Sequence, residues 1–116
     1  MSTNGKLDVQ TAIAGDTAIL TPVGDIDINT QPVLAAAIKQ RQTENGIIRL
    51  VIDLTGVSYM DSSGVATLVQ ALQTARKRNT KLVLAAPQQR VLTILQIARL
   101  DSVFRIVGDL ESAKSV

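Results

Sequence analysis

The chain has 116 residues and a mass of 12.4 kDa, the size of one domain with one hydrophobic core. Because 46% of its residues are hydrophobic but only 2% are aromatic, Val, Leu, Ile and Ala must build that core. The sequence has no Cys and no His, which excludes disulfides, thiolate nucleophiles, imidazole bases and metal sites made from these ligands. A net charge of +2 and the scarcity of stacking aromatic residues disfavour nucleic acid as a partner.

The sequence carries no recognisable targeting or membrane segment. No apolar run approaches the roughly 18 residues of a transmembrane helix, and residues 1–6 are polar, without the apolar stretch of a signal peptide. We therefore expect no membrane insertion and a cytoplasmic location. Residues 1–6 and 112–116 have the composition of frayed ends, which predicts one domain over residues 7–113 followed by a tail at 114–116.

The first half of the chain alternates strand and helix patterns. Apolar and polar residues alternate over residues 7–13, which predicts a half-buried strand. A turn at Gly15-Asp16 and a second strand over Ala18–Val23 complete a hairpin. A helix follows, capped by Asn29 or Thr30 with Pro32 in its first turn, and it should end near Asn45-Gly46.

The second half predicts further strands and helices in alternation. Residues 47–54, IIRLVIDL, form the most apolar strand candidate, which suits the interior of a sheet covered by helices. Helical spacing of apolar residues follows over residues 63–78 and 88–98, and buried strands are predicted over 82–86 and 103–107. Residues 109–113 add a helical turn. The pattern predicts a single α/β domain with a mixed sheet of four to five strands, an N-terminal hairpin and helices packed on the sheet.

The stretch most informative about function joins the buried strand to the next helix, at residues 53–64. It reads Asp-Leu-Thr-Gly-Val-Ser-Tyr-Met-Asp-Ser-Ser-Gly, and partners of open α/β sheets bind at such junctions. The simplest interpretation is that Asp61, Ser62 or Ser63 caps the helix. Two adjacent serines, however, provide one hydroxyl more than a cap needs. A spare hydroxyl at an exposed helix start is a good phosphoacceptor, because the helix dipole tolerates the added charge.

Three segments resemble STAS domains, and among them the stand-alone anti-sigma factor antagonists. Residues 51–57 (VIDLTGV) and 60–64 (MDSSG) look like the central strand and phosphorylation loop of that family. GDID at residues 24–27 resembles its Gly-acid-apolar-Asp turn before the first helix. LDSVF at residues 100–104 resembles its Leu-Asp-x-apolar-Phe segment near the end. The resemblance spans about residues 7–113 and implies the STAS fold.

The resemblance also implies a mechanism, in which the protein is a regulator and not an enzyme and needs no cofactor. The unphosphorylated antagonist binds an anti-sigma factor that is also a serine kinase, which frees the sigma factor for transcription. The kinase phosphorylates the Ser after the motif's Asp, which maps to Ser62, and the complex dissociates until a serine phosphatase resets it. The implied partner-binding residues are Asp27, Asp61, Ser62, Ser63 and Gly64, with Asp61 shaping the loop and Ser63 helping to cap the helix.

Two positions depart from the family pattern. Gly64-Val65-Ala66 stands where members commonly carry Gly-Leu-Gly, which alters the helix face beside Ser62 and leaves the partner's identity open. Asn79-Thr80 stands where glycines often end this helix, but Asn tolerates the left-handed conformation that such an end needs.

Other interpretations remain open at this point. Similar STAS domains serve as constitutive adaptor subunits of lipid-transport ABC complexes, or as subunits of large stress-signalling assemblies. The basic residues between positions 76 and 81 fit a helix C-terminus or, alternatively, a phosphate or RNA contact. The aspartates at positions 25, 27, 53 and 61 fit turns and caps or, alternatively, a Mg²⁺ site.

Overall fold

The computed structural model describes residues 6–116, which form five strands and four helices. In chain order these are β1 (Leu7–Ala14), β2 (Thr17–Gly24), α1 (Gln31–Gln42), β3 (Arg49–Asp53), α2 (Ser62–Arg78), β4 (Lys81–Ala85), α3 (Gln89–Ile97), β5 (Arg105–Val107) and α4 (Leu110–Lys114). Of the predicted N-terminal segment 1–6, all residues except Lys6 lie outside the described range.

The strands form one mixed sheet in the order β1-β2-β3-β4-β5. Strands β1 and β2 are antiparallel and form the predicted hairpin, whereas β3, β4 and β5 each run parallel to the preceding strand. A helix connects each parallel pair, because parallel neighbours need a crossover connection. The prediction of an α/β domain with an N-terminal hairpin and helices on a mixed sheet is confirmed.

Alternate residues of the interior strands supply two hydrophobic layers. On one face, Leu20, Ile52 and Leu84 pack with buried side chains of α1, α2 and α3 in the main core. On the other face, Val51 and Ala113 belong to a smaller cluster beneath α4. Strand β3 is therefore covered on both sides, as its nearly continuous apolar run predicts.

Three predicted boundaries differ from the structure by two residues or more, and the others agree to within one. Helix α1 ends at Gln42 and not near Asn45-Gly46, β3 begins at Arg49 and not at Ile47, and β5 begins at Arg105 and not at Val103. Ile47 is buried in the main core although it precedes the strand, whereas Ile48 is 49% exposed. An apolar run does not report ladder pairing, so it extends the predicted strands beyond the residues that pair.

Helix α2 ends at Arg78 as the sequence predicts, with Asn79 as its C-cap. Asn79 adopts the left-handed conformation with φ of 55°, and the next N–H, of Thr80, donates to the Ala75 carbonyl at 2.9 Å. Three exposed cations, Arg76, Lys77 and Arg78, occupy the last turn. At this position their positive charges interact favourably with the negative end of the helix dipole. This is the simpler of the two interpretations of the basic cluster, the other being a phosphate or RNA contact.

The C-terminal residues are held against the sheet, where the sequence analysis expected a frayed end. The Asp109 carboxylate caps α4 by accepting a hydrogen bond from the Ser112 N–H at 2.7 Å. The Val116 carbonyl oxygen accepts hydrogen bonds from Arg49 Nε at 2.9 Å and Lys81 Nζ at 3.1 Å. These contacts tie the end of the chain to the first residues of β3 and β4.

Candidate functional site

Two loops at the carboxyl end of the sheet lie side by side and form the candidate site. They extend the parallel pairing of β2 and β3, since Ile26 and Met60 form an isolated bridge beyond the strands. The Ile26 N–H donates to the Tyr59 carbonyl at 2.9 Å, and the Asp61 N–H donates to the Ile26 carbonyl at 3.1 Å. The segment before α1 is thereby fixed next to the segment before α2.

Gly64 allows the first turn of α2 to approach this bridge closely. A Cβ atom at Gly64 would lie 2.5 Å from Met60 Cγ and 2.8 Å from Ile26 Cγ2, well inside contact distance. Both side chains are fully buried. Gly64, predicted from the resemblance as a partner-binding residue, is itself buried and contributes close packing beneath the site.

Of the three residues that the sequence offers as the cap of α2, Asp61, Ser62 and Ser63, Asp61 occupies the N-cap position. Its Oδ1 accepts hydrogen bonds from the Ser63 N–H at 2.9 Å and the Gly64 N–H at 3.4 Å. The Ser63 hydroxyl also donates to Oδ1 at 2.5 Å. This hydroxyl contact lowers the pKa of the Asp61 carboxyl below its ordinary value of 3.8, and the two backbone donors act in the same direction against partial burial. The carboxylate is therefore charged at neutral pH.

The two adjacent serines have different surroundings. Ser62 is the first residue of α2, is exposed, and makes no side-chain hydrogen bond to any of residues 6–116. Ser63 is half-buried, and its hydroxyl is engaged with Asp61. Ser63 takes part in the cap of α2 through its backbone N–H and its hydroxyl, both of which donate to Asp61 Oδ1. The spare hydroxyl that the sequence predicts at this helix start is that of Ser62.

Asp27 organises the turn that leads into α1. Its Oδ1 accepts hydrogen bonds from the Asn29 N–H at 2.9 Å and the Thr30 N–H at 3.0 Å. The Thr30 hydroxyl accepts from the Asp27 N–H at 2.9 Å and donates to the Asp25 carbonyl at 2.8 Å. Thr30 occupies the N-cap position of α1, as one of the two predicted candidates, but its side chain caps no N–H of that helix. Asp27 lies on the loop that pairs with the Asp61 loop.

Two exposed apolar residues in these loops were not identified from the sequence. Ile28 is 71% exposed and Tyr59 is 45% exposed. Ile28 follows Asp27 directly, and its backbone N–H also contributes to the lowered pKa of Asp61. Large apolar and aromatic side chains exposed beside a charged loop are typical of a protein-binding surface. The sequence held no distinct signal for their exposure, because Ile26, Val57 and Met60 stand in the same loops and are fully buried.

A groove of about 620 Å³ runs between α1 and α2 from Ser63 to Arg78. Its two buried polar side chains, those of Gln42 and Thr67, have partners within the protein. The Thr67 hydroxyl donates to Gln31 Oε1 at 2.8 Å, and Gln42 Nε2 donates to the Ala71 carbonyl at 2.8 Å. These two buried groups are therefore satisfied, which assigns them to the packing of α1 on α2.

Within residues 6–116, no three acidic side chains come close enough together to hold a metal ion. Over the same range, every helix is too short or too polar to cross a lipid bilayer.

The comparisons with known proteins agree with this geometry. The model of the family described as the STAS domain matches residues 8–113. The chain is 39% identical over 83 residues to the anti-sigma-B factor antagonist of Listeria monocytogenes, and the aligned segment covers 72% of each protein. The anti-sigma factor antagonist from Mycobacterium paratuberculosis superposes with a TM-score of 0.89 at 23% identity, over 99% of this chain and 97% of that one.

The antagonist SpoIIAA is a second structural relative, solved in two states. Its unphosphorylated form has a TM-score of 0.80 at 18% identity, with 93% of this chain and 94% of that chain covered. The phosphorylated form of SpoIIAA from Bacillus has a TM-score of 0.73 at 17% identity, with 93% of this chain and 97% of that chain covered. At such identities the structures show a shared fold. The family match and the Listeria relative show more, and the chain belongs to the STAS domain family, which confirms the resemblance noted in its sequence.

Proposed function

We propose that this protein is an anti-sigma factor antagonist controlled by phosphorylation of Ser62. In the unphosphorylated state it binds an anti-sigma factor that is also a serine kinase and so frees the sigma factor. The observation that carries the proposal is the difference between the two serines: Ser62 is exposed without a hydrogen-bond partner among residues 6–116, whereas the Ser63 hydroxyl is bound to Asp61. The 39% identity to the anti-sigma-B factor antagonist of Listeria monocytogenes supports the choice of pathway.

The start of α2 suits Ser62 as a phosphoacceptor. The kinase would transfer the γ-phosphoryl group of ATP to Ser62 Oγ, with loss of the hydroxyl proton and release of ADP. The product carries about −1.5 to −2 charges at the positive end of the helix dipole, so the fold can accept it. Asp61 is already occupied in capping Ser63 and Gly64, and the cap therefore need not rearrange.

The same charge would be costly at a protein interface. The proposed interface consists of Asp27, Asp61, Ser62 and Ser63 with the exposed side chains of Ile28 and Tyr59 beside them. Burying an unpaired charge there costs about 3–5 kcal/mol, which lowers affinity by roughly a hundred- to several-thousand-fold. Phosphorylation would thus release the partner, and hydrolysis of the phosphoester by a serine phosphatase would restore binding. The protein acts in the cytoplasm as a substrate and regulator, and not as an enzyme.

A pull-down from the native host with three baits tests this proposal. Ser62→Ala removes the phosphoacceptor, Ser62→Asp supplies a permanent charge, and Ser102→Ala is the control, because Ser102 is an exposed serine that precedes β5 at the other end of the sheet. Mass spectrometry of the bound proteins should find an ATP-binding serine kinase on the Ser62→Ala and Ser102→Ala baits and not on Ser62→Asp. Equal capture by both Ser62 variants would refute the switch. An ABC ATPase captured equally by all three baits would identify a constitutive transport adaptor instead.

The captured kinase then allows a direct test of the modified residue. Incubation of the wild-type protein with that kinase and ATP should add one phosphoryl group, located at Ser62 by fragmentation. The Ser62→Ala protein should remain unmodified, while Ser63→Ala should still be modified, at Ser62. Modification at Ser63 in the wild-type protein would contradict the assignment.

A further inference from the structure

Strand β1 is an unprotected edge of the sheet. Among residues 6–116 it pairs only with β2, and its eight residues align with β2 without a bulge. It contains no Pro or Lys, and Asp8 is its one charged residue. Natural proteins blunt such edges with charges, Pro, bulges or very short strands. The opposite edge follows that rule, because β5 has only three residues and begins with Arg105.

The hairpin register identifies which backbone groups of β1 face outward. Ala14 and Thr17 pair across the two-residue turn Gly15-Asp16, in which Gly15 has φ of 64°, and the residues flanking such a turn exchange hydrogen bonds. Because hydrogen-bonded and non-hydrogen-bonded pairs alternate, even-numbered residues of β1 bond to β2 and odd-numbered ones face outward. Pro22, which lacks an N–H, pairs with the odd-numbered Val9, as this assignment requires.

We propose that this edge binds a second copy of the chain, with the two β1 strands antiparallel and Thr11 opposite Thr11 on the two-fold axis. In this register Val9 faces Ile13 of the other copy, so the three central odd-numbered pairs, Thr11 with Thr11 and Val9 with Ile13 on either side of it, all use outward-facing N–H and C=O groups. About six backbone hydrogen bonds form from the three central pairs. The result is a ten-stranded sheet that continues across both copies. This inference is independent of the proposed function.

Side chains favour the same occupant in the same register. Ile13 is 47% exposed and Val9 is half-buried, and pairing brings these two apolar side chains together on one face. Asp8, the one charged residue of the strand, lies opposite Ala14 of the other copy, so the pairing opposes no like charges. Because the same contacts repeat on either side of Thr11, the edge is self-complementary, which a two-fold dimer requires.

Disulfide trapping tests the register directly, because the chain contains no Cys. In the proposed dimer the two Thr11 Cα atoms lie about 5.5 Å apart, the spacing of a hydrogen-bonded antiparallel pair and within reach of a disulfide. Oxidised Thr11→Cys protein should therefore form a covalent dimer in high yield. Ile13→Cys is the matched control on the same face, since its two copies lie about 13 Å apart in this register. Absence of crosslinking at Thr11→Cys, or equal crosslinking of both variants, would overturn the proposal.

Light scattering on the full chain tests the interface without a crosslink. We expect a wild-type mass near twice 12.4 kDa. Thr11→Pro removes an outward N–H and leaves the bonds to β2 in place, so it should give a folded monomer, whereas Thr11→Ala should remain dimeric because the backbone carries the pairing. Ile13→Lys provides a second edge-blocking variant should the Pro protein fail to fold. A monomeric wild-type protein at high concentration, or a dimer that survives Ile13→Lys with an unchanged dissociation constant, would refute the inference.

Discussion

Replacing Gly64 by Ala tests the close contact that positions the candidate phosphorylation site. The added Cβ would lie 2.5 Å from Met60 Cγ and 2.8 Å from Ile26 Cγ2. Neither neighbour can move easily, because both side chains are fully buried and their residues form the bridge that joins the two loops. We therefore expect the first turn of α2, which carries Ser62, to shift outward.

Two opposing effects determine the size of this change. Overpacking a well-filled core costs roughly 1–3 kcal/mol, whereas Ala in place of Gly within a helix regains about 0.5–1 kcal/mol. With both contacts below 3.0 Å, overpacking should dominate. The expected net loss is about 1–2 kcal/mol in the free energy of unfolding, or roughly 4–8 °C in Tm for a domain of this size.

Urea unfolding followed by circular dichroism measures the effect. Gly108→Ala is the matched control, since a Cβ at Gly108 meets no atom within 4 Å and this residue has no left-handed backbone. The control should change stability by less than about 0.5 kcal/mol. If Gly64→Ala is as stable as the wild type while Gly108→Ala is neutral, the reasoning that Gly64 is required for close packing is wrong.

Two further predictions concern the cap of α2 and the packing of α1 on it. Because folding lowers the pKa of Asp61 below its ordinary value of 3.8, its charged form adds stability that is complete above about pH 4 and is lost as the pH falls through the folded-state pKa. The stability difference between wild type and Asp61→Asn, measured by urea unfolding, should therefore shrink below pH 4, and a difference that is constant down to pH 2 would contradict this. Gln42 is 6% exposed and donates to the Ala71 carbonyl at 2.8 Å. Gln42→Ala should lose about 1–3 kcal/mol, whereas exposed Gln40→Ala should be neutral, and equal effects would rule out a specific role for the buried bond.

Much of the fold was predictable because it depends on local pattern. Alternation over residues 7–13 and the apolar run at 47–54 specify strands, and helical spacing specifies the crossover helices. Asn79 ends α2 because few other residues adopt the left-handed conformation at low cost. The boundaries were less predictable, since Ile47 is buried without belonging to a strand.

The roles of individual site residues depended on contacts between distant segments. In the sequence, Asp61, Ser62 and Ser63 are equivalent candidates for a helix cap. The bridge between Ile26 and Met60 fixes the direction in which the chain enters α2, and with it the orientation of Asp61. Once Asp61 engages the Ser63 hydroxyl, Ser62 is the one of these two serines whose hydroxyl remains available at the surface.

By itself the sequence determined the elements, the family and the short segment in which function resides, because these follow from the periodicity and the order of residues along the chain. The tertiary structure alone decided that Gly64 is buried beneath the site, that Ile28 and Tyr59 are exposed beside it, and that β1, among residues 6–116, pairs on one side only. Burial, exposure and strand order are set by which segments pack together. The residues adjacent to a position in the sequence do not specify which distant residues will contact it in the fold.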